Sequence, residues 1–134
     1  KHITQRCPLY DNGSSLCCYV NETQYGNLLG KDAGPFNALV DSKSRSAIRI
    51  DGNKKGRPKH SEMVKYLLDN YSETRNICEK IINTLTESRI DSLMDDYQIE
   101  LLPETKNIII RKYLKRKIQL LDTIVDRSCE SDGE

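Results

Sequence analysis

The stretch from Pro103 to about Arg127 constrains this chain more than any other. At about 100° per residue along a helix, Ile110, Tyr113, Leu114, Ile118, Leu121, Ile124 and Val125 gather on one arc, and Arg111, Lys112, Lys115 and Arg116 fall on the opposite one. A segment divided in this way is an amphipathic α-helix that buries one stripe and wets the other. Pro103 suits its first turn, where the amide hydrogen that proline lacks would go unused. Some 25 residues at about 1.5 Å each reach roughly 37 Å, farther than shorter neighbours cover. Part of the stripe is therefore expected to meet a second chain, as in a homodimer.

Helical spacing also runs upstream of this segment. Met63, Val64, Leu67 and Leu68 share a face behind His60 or Ser61 as cap; Ile77, Cys78, Ile81, Ile82 and Leu85 follow Ser72; Ile90, Leu93, Met94 and Tyr97 follow Ser88. Loops of a few residues between such helices imply antiparallel neighbours. Before residue 46 no period is sustained, and Asp11-Asn12-Gly13-Ser14, Gly26-Asn27 and Asp32-Ala33-Gly34-Pro35 read as turns. From Ser46 to Asp51, Ile48 and Ile50 alternate with polar residues, the pattern of a short half-buried strand. The expected fold is mainly α: an irregular N-terminal half with short strands, then a bundle of about four helices, the last one long. With 134 residues the chain has the size of one domain. Residues 1–59 form its irregular, cysteine-containing segment and basic loop, and residues 60–130 its helical bundle.

Only 37% of the residues are hydrophobic and 31% are charged, with no Trp and a single Phe36. The core must come from Ile, Leu, Val and Tyr, which argues against a large aromatic-lined pocket. A net charge of +1 conceals an uneven layout, with bases at 54–59 and 111–117 and acids at 91–104 and after 122. No apolar run approaches the roughly 18 residues of a membrane span. The sequence starts at Lys1 without a signal-peptide pattern, as a fragment or a processed chain would.

Cys7, Cys17, Cys18, Cys78 and Cys129 are five, an odd number, so at least one thiol is left over if the rest pair. In an oxidising compartment Cys7 would close a loop with Cys17 or Cys18, and Cys78 would tie its helix to Cys129. In a reducing one all are free and Cys78 is a small buried apolar group. Asn12, Asn21 and Asn70 head glycosylation acceptor triplets that gain meaning only on the secretory route. Localisation follows the thiols: intracellular and DNA-associated if free, extracellular if bridged.

Lys54-Lys55-Gly56-Arg57-Pro58-Lys59 carries the sharpest chemical signal. Glycine permits close backbone approach, proline keeps the chain extended, and arginine suits the negative potential of a narrow groove. These six residues resemble the core of the AT-hook family, which binds the minor groove of A·T-rich DNA, with Lys55 where that family usually has Pro-Arg ahead of the glycine. A hook directly ahead of helices is also similar to the nonamer-binding region of the V(D)J recombinase, a likeness that rests on Gly-Arg-Pro. The resemblance implies DNA binding with Arg57 entering the groove.

Other chemistry finds less support. Cys7, Cys17 and Cys18 with His2 or His60 supply zinc ligand types, but no Cys-x-x-Cys pair exists, so no metal or other cofactor is expected. Gly26 to Asp32 falls one residue short of a phosphate-binding loop and has Asp32 where Ser or Thr should ligate Mg²⁺. Neither histidine has an evident nucleophile beside it, and Asp91, Asp95 and Asp96 read as an acidic helix end or a cation site. Two readings follow. The first is a non-catalytic module binding nucleic acid through Lys54, Lys55, Arg57, Lys59, Arg111, Lys112, Lys115 and Arg116. The alternative is a disulfide-stabilised, glycosylated extracellular protein with a protein partner.

Overall fold

The computed structural model describes residues 17–50, 56–96 and 102–130. Within these the chain is mainly helical, with six α-helices, one π-helical turn and no sheet. They are α1 (Glu22–Leu29), α2 (Gly34–Asn37), the π turn (Ala38–Ser42), α3 (His60–Asn70), α4 (Glu73–Thr84), α5 (Glu87–Asp96) and α6 (Glu104–Glu130).

The four helices expected from the apolar spacing form close to their expected limits, and α6 is their hub, packing against α1, α3, α4 and α5. Its two neighbouring isoleucines serve different clusters. Ile109, with no exposed surface, joins Val20, Leu28, Phe36 and Val40, whereas Ile110 joins Ile90 and Met94 of α5. Burial on both sides makes the buried arc of α6 wider than a single stripe, and the chain's own helices cover it.

Two expectations are corrected. Residues 22–29 and 34–42 are helical rather than turns and strands. Asn21 begins α1 by accepting Gln24's amide and donating its own amide to the Gln24 side chain, both at 3.0 Å. Gly34-Pro35 starts α2 instead of a turn, proline sitting where its missing donor is harmless. Too short for a legible period, these helices are held by burying Leu28, Phe36 and Val40 against α6. The strand expected at Ser46–Asp51 is absent from Ser46 to Ile50, its described part. Ser46 Oγ accepts the Ile48 amide at 3.0 Å, bending the backbone, and Ile48 points outward with 72% of its surface exposed.

Candidate nucleic-acid interface

The loop bearing Gly-Arg-Pro is closed at its base by backbone pairing. Arg45 and Lys59 form an isolated antiparallel bridge, Ser46 donates its amide to Pro58 O at 2.9 Å, and His60 donates to Ser44 O at 3.0 Å. Arg45 Nη1 adds a bond to Arg57 O at 3.1 Å. This neck connects the π turn to the first residue of α3 and is anchored there. Lys59 Nζ donates to Asp41 Oδ2 at 3.1 Å, Ser61 Oγ donates to Asp41 Oδ1, and Glu62 accepts the Lys59 amide at 2.7 Å. The Ser61 hydroxyl first, and Lys59 second, hold the Asp41 carboxyl below the usual carboxylate range.

Gly56 has nothing within 4 Å of where a Cβ would stand. Arg57 is exposed, and among the described residues no carboxylate pairs with Lys43, Arg45 or Arg57. Lys54 and Lys55 lie outside the described residues.

On α6 the predicted cations are placed differently. Arg111 is seven residues before Ile118, so at 100° per residue the two lie about 20° apart, and Arg111 sits at the edge of the buried arc rather than opposite it. There α5 meets it. Arg111 Nη1 donates to Asp91 O and Asp91 Oδ1, both at 3.3 Å, and Nη2 pairs with Asp95. Its Nε donates to Asn107 Oδ1 at 2.8 Å, while buried Asn107 donates to Met94 O at 3.1 Å, satisfying a carbonyl at the end of α5. Lys115 Nζ donates to Asp91 Oδ2 at 2.7 Å. Lys115 and Arg111 together keep the Asp91 carboxyl below the usual range, and Asp95 holds the Arg111 guanidinium above its own. Asp91 and Asp95, two of the three acids predicted as a helix end or a cation site, thus fasten α5 to α6. Lys112 lies over the Phe36 ring at 4.3 Å, leaving Arg116, bonded to Gln119 at 3.3 Å, as the outermost of the four.

The residue that spacing did not single out is Lys117. It falls on the same arc as Tyr113 and Ile124, where a lysine among apolar residues is itself a signal. Burial lowers its pKa, its Nζ stands 5.5 Å from the Tyr113 ring centre, and its charge acts on Asp41, Cys17 and His60 at the neck. Burial, and then Lys117, also lower the His60 pKa.

The thiols of Cys17, Cys18 and Cys78 are free, as in the reducing alternative. Cys78 is packed as a small apolar group with 5% exposure, and burial raises its pKa. Burial pushes the Cys17 thiol up to about 11, which keeps it protonated and a poor nucleophile or ligand. Cys129 belongs to the last turn of α6; Cys7 and Asn12 lie outside the described residues. Asn21 is exposed, its Oδ1 accepting from Thr23 Oγ1 at 2.7 Å. Asn70 is exposed at the end of α3, with Nδ2 donating to Tyr66 O at 2.8 Å. Among the described residues no group of three His, Cys, Asp or Glu is placed to hold a metal ion, and no helix is long and apolar enough to cross a membrane. Compared with protein-family models, curated proteins and solved structures, the chain matches none.

Proposed function

We propose that this chain is a binding module that holds nucleic acid by its phosphate backbone through the loop closed between Arg45 and Lys59, with the helices as its scaffold. The observation that carries the reading is the neck. It ties Arg45 to Arg57, with Lys43 two residues before Arg45, all three exposed and without carboxylate partners among the described residues. Lys54 and Lys55 precede Gly56 in the same loop. Cations with no internal partner are the ones that can replace counterions on a polyanion. Arg57 is the residue that enters a groove, with open Gly56 allowing the backbone to follow. Arg111 and Lys115, engaged by α5, hold the scaffold together.

The test is anisotropy with labelled A·T-rich DNA across a salt series. Replacing Lys54, Lys55 and Arg57 together by Gln should weaken binding and shallow the slope of log K against log salt by about 2–3, since each phosphate contact contributes roughly 0.9. Arg111→Gln with Lys115→Gln should leave the slope of the folded protein unchanged. An unaltered slope in the loop variant would sink the proposal.

A further inference from the structure

Beside the neck lies an open cavity of about 490 Å³ whose walls come from four parts of the chain, including His60 and Tyr113. That size falls within the roughly 300–1,000 Å³ usual for small-molecule sites. One wall is a tight turn in which Val20 donates its amide to Cys17 O at 2.9 Å and Cys17 adopts φ 62°, in the left-handed region. The turn sends Val20 into the core at 6% exposure and leaves Tyr19 standing outside at 83%. A large aromatic ring kept so exposed at a cavity rim that half-buried, apolar Leu39 also lines is a flat surface with nothing stacked on it among the described residues.

Lys43 and Arg45 also line the cavity. Arg45 is tethered through Nη1 to Arg57 O, which fixes the guanidinium at the neck and leaves its other donors uncommitted. At the base, Ser44 Oγ donates to Leu39 O at 3.0 Å, and Tyr113 OH lies 3.5 Å from the same Ser44 oxygen. The floor is thereby self-satisfied, and the chemistry on offer is one aromatic face set against two cations.

We infer that this cavity takes one unpaired nucleotide of a single-stranded nucleic acid, its base stacked on Tyr19 and its phosphate held by Lys43 and Arg45. The inference rests on the reading of the adjoining loop as a nucleic-acid contact and adds a preference to it. Every base has a face that stacks on an aromatic ring, but in a duplex both faces are already stacked, so only an unpaired nucleotide can use Tyr19. The loop cations follow the backbone of either form.

The experiment compares labelled oligothymidylate with a blunt duplex of equal length for the unaltered protein, Tyr19→Ala and Lys43→Gln with Arg45→Gln. The strand should bind more tightly than the duplex. Tyr19→Ala should weaken strand binding by roughly five-fold or more, the range of one base–aromatic stack, and leave duplex binding unchanged. The double variant should weaken both. Exposed Tyr19 can be truncated without touching the core, which circular dichroism verifies. Equal affinity for strand and duplex, with Tyr19→Ala silent, overturns the cavity assignment and leaves the loop reading standing. If neither nucleic acid binds, the loop reading fails and the strand assignment with it. Thymidine monophosphate followed by NMR at the amides of Tyr19, Lys43 and Arg45 isolates the cavity: shifts clustered on these three are expected, and their absence overturns it.

Discussion

Residues 43–59 and residues 111–117 are both rich in lysine and arginine, and the fold treats the two stretches in opposite ways. On α6, Arg111 and Lys115 sit at the border of the buried arc, within reach of the Asp91 and Asp95 carboxylates of α5, and become fasteners. On the loop, a backbone neck closes the chain on itself, and among the described residues Lys43, Arg45 and Arg57 meet no carboxylate. Lys59, at the neck, is paired with Asp41. Cation density alone does not make a binding face: a charge is available to a ligand only where the surrounding elements leave it without a partner.

The largest effect that sharpens this contrast concerns the scaffold. Ile109→Ala should destabilise the fold by about 2–5 kcal/mol, the usual range for emptying a fully buried isoleucine site, as read by urea denaturation. Cys78→Ser should lower stability by about 1–3 kcal/mol through burial of a hydroxyl in an apolar site, equally with and without reductant. A loss seen only in oxidising conditions would restore the disulfide.

Removing a fastener comes next. Asp91→Asn deprives both Arg111 and Lys115 of a partner and should lower the melting temperature by less than Ile109→Ala does, while DNA affinity of the folded protein stays the same. Unaltered melting with weakened DNA binding would break the comparison by making α6 a contact surface. The sign in acid follows from the same groups. Asp41 and Asp91 have folded-state pKa values below the ordinary 3.8, so their stabilisation is present above that value and is lost as pH falls through the folded-state values. Acid unfolding curves of Asp41→Asn and Asp91→Asn should therefore be flatter than that of the unaltered protein. The smallest expected effect is on the loop: Arg57→Gln should change stability by no more than about 0.5 kcal/mol, because its side chain supports nothing, and should still reduce affinity.

How much of this was legible in the residues differs along the chain. Helices α3 to α6 announce themselves because each is long enough for a repeating apolar face, with Pro103 ahead of the last. Helices α1 and α2 do not, since eight and four residues give too few turns for a period and owe their form to packing on α6. Of the interface, the basic loop was visible as composition. The cavity beside it was not, because Tyr19, Lys43 and Arg45 are brought to one place by a turn and a neck that no local spacing encodes.

By itself, the sequence determined the helical class, the four longer helices and the positions of the cations, since all of these are written in contacts three and four residues apart. Only the tertiary structure decided which cations are occupied, that Ile109 has no exposed surface, and that Cys78 is buried. The physical reason is range: a helix face is a local property, whereas whether Arg111 meets a carboxylate or solvent depends on where α5, some 20 residues away in the chain, comes to rest.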